Sequence, residues 1–386
     1  MADQLRLIEV LTPKQRQAFV ELQFTIYADD PDWRAPLKSE MRELIDGAKT
    51  NPWFEHAEAA FWMVYRGDTA VGRISAQVDQ LVLQYMGAGT GHWGMFECID
   101  DQAVADLLLS TAENWLRARG MTRAQGPFSL SIWDEPGVMV AGFGTPPTVM
   151  MAHHRSWYSK LIEARGYVGI KDMHTWEVQI THPFPDTVQR IVAMGEKNPR
   201  IRIREVVKKD FANEAALILD ILNDAWSTNW GFVPLTPHEV AHVGKKLKPI
   251  VYEDMIRIAE LDGVPVAFMI SLPDLNELMG DLNGKLFPFG WAKLLWRLRK
   301  PKVNRIRVPL MGVRKSLQGT RMASMVAFVL IEYIRRAARD VYGAKRGEIG
   351  WILEDNGPMR SIAEVIGAEI TRTYRVYEKP LSAEVH

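Results

Sequence analysis

Residues 304–338 read NRIRVPLMGVRKSLQGTRMASMVAFVLIEYIRRAA, a strand pattern, a short basic loop and a long helix pattern in succession. Arg305 to Val313 is rich in β-formers and carries Pro309 at a position that an edge strand tolerates. From Met322 onward, Met325, Val326, Val329, Leu330 and Tyr333 recur at helical spacing. Between these elements, Arg314 to Arg321 (RKSLQGTR) can aim backbone N–H groups and cations at an anion seated on a helix N-terminus.

The loop is similar to the acetyl-CoA-binding signature of the GNAT acyltransferase superfamily, Gln/Arg-x-x-Gly-x-Gly/Ala. Here it stands as Gln318-Gly319-Thr320-Arg321-Met322-Ala323, with Arg321 where the first glycine is expected. The order of the downstream elements extends the resemblance over about seventy residues. Glu348–Leu353 is an apolar strand, Glu354–Pro358 is turn chemistry, Met359–Ile366 is a brief helix ending at Gly367, and Ala368–Tyr377 is β-rich.

Working outward, two halves repeat one order. Leu5–Val10 reads as a strand, and Thr12 with Gln15 as a capping box for a helix to Tyr27. Phe61–Tyr65 and Ala70–Gln77 form a hairpin; Gly94–Ile99 is a strand, and Asp100 and Asp101 cap a helix. In the second half Ile201–Val207, Phe211–Trp226, a capping box at Thr236 and Glu239, and the pair Met255–Glu260 and Pro265–Ser271 repeat the scheme. The expectation is an α/β (α+β, mixed-sheet) chain of two GNAT-like domains in tandem, residues 1–180 and 200–386. The first half passes from Glu97 and Cys98 directly to Asp100 and Asp101, with no glycine loop, so a single acyl-CoA site is expected in the second.

Composition sets the frame. A chain of 386 residues is long for one core. Its 47 basic and 47 acidic residues balance, so no global field recruits nucleic acid. The one cysteine, Cys98, excludes a disulfide scaffold and a cysteine-ligated zinc site, and it sits in an apolar run that suits a buried thiol. His153 and His154 lack the spacing of metal ligands, so no metal is expected. The first residues lack a signal-peptide layout, and no apolar run approaches the ~20 residues of a membrane span. A cytoplasmic protein, peripheral on the inner face of the membrane, is the expectation.

Residues 285–307 (KLFPFGWAKLLWRLRKPKVNRIR) contain no Asp or Glu. Phe287, Trp291, Leu294, Leu295 and Leu298 can share one helical face beside Lys293, Arg297, Arg299 and Lys300. That pattern suits a helix lying on an anionic membrane surface, and the insertion near 275–303 would roof the acceptor groove. Residues 125–167 interleave Trp133, Asp134, Glu135, His153, His154, Trp157 and Tyr158 with glycines and prolines. With the tandem layout and the ending at 351–380, this region resembles a group of bacterial tandem-GNAT proteins that includes the bacterial ceramide synthases. The resemblance implies transfer of a fatty acyl group from long-chain acyl-CoA, as co-substrate with no resident cofactor, to the amine of a sphingoid base in its 3-keto form. Alternatives are another amine (an amino acid, a peptide or a cell-wall precursor) and a non-catalytic lipid-binding protein.

The resemblance implies roles for particular residues. Met311, Gly312 and Val313 would pair with pantetheine and donate an N–H to the thioester carbonyl. Gln318, Gly319, Thr320, Arg321, Met322 and Ala323 would hold the pyrophosphate, and Asn356 the pantetheine or adenine side. The tyrosine expected four residues before Gly367 is Ala363, so Tyr374 or Tyr377 would have to protonate the thiolate, unless it departs unassisted. A base titrating near neutrality is sought among Glu97, Asp134, Glu135, His153 and His154. Adjacent in sequence, the two histidines are expected to face different directions.

Overall fold

A computed structural model describes residues 4–381. The first half begins with β1 (Leu5–Glu9), α1 (Pro13–Ile26) and α2 (Lys38–Ile45). The hairpin β2 (Ala57–Arg66) and β3 (Thr69–Asp79), α3 (Gln80–Tyr85), β4 (Thr90–Cys98) and α4 (Gln102–Arg117) come next. Then come β5 (Arg123–Gly126), β6 (Val138–Ala141), α5 (Tyr158–Ala164) and β7 (Val168–Gln179). Past α6 (Asp186–Glu196), the second half runs β8 (Ile201–Glu205), α7 (Phe211–Trp226), α8 (Pro237–Leu247), β9 (Ile256–Leu261) and β10 (Val264–Pro273). It continues with α9 (Leu275–Met279), α10 (Gly290–Arg299), β11 (Arg305–Val313) and α11 (Arg321–Ala337). β12 (Arg346–Leu353), α12 (Gly357–Val365) and β13 (Glu369–Pro380) close it.

The helix starts obey local chemistry. Thr12 with Gln15 and Thr236 with Glu239 form reciprocal capping boxes, each with Pro at the first helical position. Asp101 caps α4, and Thr320 caps α11 by accepting the Ala323 N–H at 3.1 Å.

Among the described residues thirteen strands make one sheet in the order β1-β2-β3-β4-β5-β13-β7-β12-β11-β10-β9-β8, with β6 alongside β13. The two halves interleave at the centre, because β13 pairs with β5 on one side and β7 on the other, and β7 in turn pairs with β12. Separate apolar clusters cover the two faces in each half: α1 against α4 and α5 in the first, α7 against α6 and α11 in the second. Cys98 lies wholly inside, where burial drives its thiol pKa up.

Two local features open the sheet for chemistry. β4 bulges: Arg73 faces Glu97 while Ser75 faces Gly94, which leaves an extra residue between, and Met95 takes φ 47°. Gly94 is required there, since a Cβ would fall 1.6 Å from the Phe128 carbonyl oxygen. In the second half β11 pairs with β12 in parallel only as far as Val308 opposite Ile349, and the strands part beyond that point. Pro309 therefore stands in an interior strand rather than at an edge. It is tolerated because the β12 ladder has ended and the β10 register shifts between Ile270 and Leu272, so no ladder bond awaits its missing N–H.

Candidate active site

The β4 bulge brings Glu97 to the wall of a cavity of about 110 Å³, also bordered by Glu135, His153 and His154. Glu97 is 5% exposed and accepts the hydroxyl protons of Tyr27 at 2.7 Å and Tyr158 at 2.6 Å. Gln23 Nε2 reaches it at 3.3 Å and the buried guanidinium of Arg73 at 3.8 Å. Burial pushes the Glu97 pKa up, and Arg73 with the two tyrosines opposes this. The same balance holds at Glu135, where burial raises the pKa and Arg73 pulls it down. Neither Asp134 nor Glu135 is the exposed turn acid that the following Pro-Gly suggests.

Both histidines border this one chamber, where residues 151–155 are irregular backbone rather than strand. Their hydrogen bonds distinguish them. His154 Nδ1 faces the Met139 N–H at 3.1 Å, which can only donate, so its lone pair is taken and the ring proton sits on Nε2. Burial drives that ring's pKa down to about 3, so it is a neutral donor. His153 Nε2 lies 2.9 Å from the Asp30 carboxylate, which can only accept, so the proton sits on Nε2. Nδ1 of His153 is buried and has no hydrogen-bond partner among the described residues. A carboxylate-oriented imidazole with a vacant lone pair is the arrangement of a general base.

A larger cavity of about 350 Å³ lies under α7 and α8, lined by Phe211, Ala215, Leu219, Leu222, Val243 and Leu247 among other apolar side chains. Trp133, stacked on Trp226 with ring centroids 6.1 Å apart, closes one side. Asp134 borders this cavity rather than the chamber; it accepts from Ser131 N and Oγ, and burial raises its pKa to about 6. Met150, in a left-handed conformation at φ 62°, borders both spaces. The apolar cavity shares Trp226, Asn229, Pro309, Gly350, Trp351 and Leu353 with the cleft where β11 and β12 part.

Met311 and Asn356 line that cleft. The Met311 carbonyl already accepts the Trp226 indole N–H at 3.0 Å, and Asn356 caps α12 by accepting the Met359 N–H at 3.3 Å. Gly312 packs where a Cβ would meet the Phe268 ring at 2.8 Å, and Val313 accepts from Gln318 Nε2 at 2.8 Å. Gln318, Gly319, Thr320 and Arg321 are exposed at the start of α11, with Met322 and Ala323 half-buried behind them, and Gly319 takes φ 75° with open space beside it. The loop rests on α7, where Asp224 accepts the Lys315 N–H at 2.8 Å and Ser227 accepts Lys315 Nζ at 2.6 Å.

Two readings change. Tyr374 is buried in the core, donates its hydroxyl to the Ala152 carbonyl at 2.8 Å and borders neither cavity; burial raises its pKa. Tyr377 likewise gives its hydroxyl to Glu163 at 2.8 Å. The insertion near 275–303 does not line the apolar cavity, which α7 and α8 cover, while its Asn276 lines the chamber. Lys293 and Arg297 are both paired with Asp281, just outside the acid-free stretch. Arg73, Tyr27, Asp30 and Tyr158 carry roles that sequence reasoning did not assign. Arg73 alone gave a signal, as a lone cation in the apolar strand VGRISAQV.

No family model matches the chain. It is 42% identical over 378 residues to the bacterial ceramide synthase of Caulobacter vibrioides (strain NA1000 / CB15N), covering 98% of each. It is 42% identical over 375 residues to protein YghO of Escherichia coli (strain K12), covering 96% of this chain and 94% of that one. Among solved structures, a tandem GNAT protein from the clavulanic acid biosynthesis pathway superposes with a TM-score of 0.58 at 12% identity, covering 99% and 100% of the two chains. A GCN5-related N-acetyltransferase from Sphaerobacter thermophilus gives 0.53 at 13%, covering 98% and 97%. At such identity these two establish the fold, the tandem GNAT arrangement, and nothing further.

Proposed function

We propose that this chain, which belongs to the bacterial ceramide synthase family, moves a fatty acyl group from acyl-CoA to the amine of a sphingoid base, 3-ketosphinganine in the first instance. The chain is an acyltransferase. One observation carries the finer reading: the β11–β12 cleft shares its wall with an apolar cavity of about 350 Å³, and Met150 borders both that cavity and the chamber of Glu97, Glu135 and His153. A lipid chain fits the first space, a cationic amine the second.

In this reading residues 200–386 take the donor. Met311, Gly312 and Val313 border pantetheine, with the Trp226 indole yielding the Met311 carbonyl. The amides of Gly319, Thr320, Arg321, Met322 and Ala323 face the pyrophosphate with Gln318, and Asn356 lies beside the pantetheine arm. Residues 1–180 take the acceptor. Glu97 and Glu135, only partly offset by Arg73, attract the ammonium group. His153 Nδ1 takes one proton, and the neutral amine attacks the thioester carbonyl. The tetrahedral intermediate expels the thiolate, which takes the second amine proton and leaves as free thiol. With a reference thiol pKa near ~8.5, that departure needs no tyrosine acid. Exposed Phe287, Phe289 and Trp296 near α10 support peripheral attachment to the inner face of the cytoplasmic membrane. No helix among the described residues is long and apolar enough to cross a membrane.

The test is incubation of the purified protein with palmitoyl-CoA and 3-ketosphinganine, tracking thiol release and product mass together. An N-acylated product with stoichiometric thiol establishes the reaction. Thiol release with other amines only would replace the acceptor, and no release at any chain length would overturn the reading.

A further inference from the structure

A third and larger space, about 1270 Å³, opens at the end of β11 and β12 remote from the pyrophosphate loop. Six cations line it: Arg34, Lys302, Arg305, Lys345, Arg346 and Arg372. Three carboxylates face them, Glu177, Glu277 and Asp281. Arg305 is paired with Asp274 at 3.0 Å, Arg346 with Glu177 at 3.0 Å and Arg372 with Glu348 at 2.9 Å. Arg34 and Lys302 donate to neutral backbone carbonyls, and neither they nor Lys345 has a carboxylate partner among the described residues. With Glu277 a second partner of Arg305 at 3.6 Å, six lining cations against three lining carboxylates leave the groove net positive.

Its position gives that charge a use. Arg34 and Asn276 line both the groove and the chamber of Glu97 and His153, so the two are contiguous. At the opposite rim Gly280 and Asp281 lead into α10, whose Lys293 and Arg297 are tied to Asp281. Beside that rim Phe287, Phe289 and Trp296 are 80%, 79% and 73% exposed. Aromatic side chains standing out beside a cationic recess match the depth profile of a bilayer surface, acyl boundary next to phosphate layer.

We propose that the groove binds the phosphate headgroup of an anionic membrane phospholipid and so sets the chamber's mouth against the bilayer. The proposal rests on the reading of the protein as membrane-attached and supplies its binding site. Lys302 and Lys345 are exposed and take no part in the chamber or the acyl-CoA cleft, so their variants read binding alone.

The test measures co-sedimentation of the full chain with phosphatidylcholine–phosphatidylglycerol vesicles, with soluble dihexanoyl-phosphatidylglycerol or inorganic phosphate as competitor. At roughly fivefold per lysine near a surface, the Lys302→Gln/Lys345→Gln variant loses about twenty-five-fold in affinity. Lys14→Gln/Lys160→Gln, two exposed lysines elsewhere, stays within about twofold, and only the short-chain lipid competes. Equal loss in both variants, or none in the first, overturns the groove; competition by inorganic phosphate as strong as by the lipid makes it a free-phosphate site and overturns the lipid. Acyl transfer to detergent-dispersed amine is measured in parallel. Its absence in wild type would strike the reaction while leaving the vesicle result intact.

Discussion

Ala215→Phe in α7 tests whether the apolar cavity holds the acyl chain. Ala215 lines that cavity, whose volume is about 350 Å³. At about 30 Å³ for each water-sized group, the space accommodates roughly twelve methylenes. A phenyl ring added there displaces about four of them. At about 0.8 kcal/mol per buried methylene the loss is about 3 kcal/mol, or roughly a hundredfold in kcat/KM for a chain that fills the space. A chain four carbons shorter is spared. The assay offers the variant an equimolar mixture of C8 to C18 acyl-CoAs with one amine and counts amide products by mass. The expected result is a shift of the product maximum by about four carbons, with thermal stability within a few degrees of wild type. An unchanged chain-length profile in a folded variant would refute the placement of the acyl group under α7 and α8.

Four further outcomes are expected. His153→Ala lowers kcat by about 10²- to 10⁴-fold with little change in acyl-CoA affinity, as loss of a general base should, read by steady-state kinetics and calorimetry. Arg73→Leu leaves Glu97 buried without its cation and costs about 3–5 kcal/mol, read by denaturant unfolding, whereas Tyr27→Phe removes the hydroxyl that Glu97 and the His153 carbonyl share and costs about 1–3 kcal/mol. His56 lies 2.9 Å from Asp79 and 3.4 Å from Glu239 of α8; burial alone would lower its pKa, but these two carboxylates raise it to about 9. Since the folded value exceeds the unfolded ~6.5, its stabilisation is complete below about pH 6.5 and lost as pH rises through about 9, and His56→Ala should flatten the melting temperature across that window. Phe289→Ser/Trp296→Ser should weaken vesicle binding without moving the melting temperature, since both side chains stand in solvent.

The legible part of the sequence was local. The capping boxes at Thr12 and Thr236, the hairpin of β2 and β3 and the loop into α11 are written in contiguous residues, and each forms where its chemistry places it. The chamber is not local. Glu97 meets Tyr27 seventy positions away and His153 meets Asp30 at 123, so no spacing rule joins them. The same limit hid Asp281 as the partner of Lys293 and Arg297, and made Pro309 look like an edge residue when the parting of β11 from β12 is what accommodates it. The insertion of β13 between β5 and β7 is a pairing of sequence-distant strands that periodicity does not encode.

A structure of the protein with a thioether analogue of palmitoyl-CoA, which cannot transfer its chain, would show directly where donor and acceptor meet. The pantetheine arm is expected between β11 and β12, the alkyl chain under α7 and α8, and the sulfur facing the chamber of Glu97, Glu135 and His153. An alkyl chain lying in the cationic groove, or a cleft between β11 and β12 left unoccupied, would contradict acyl transfer at this site.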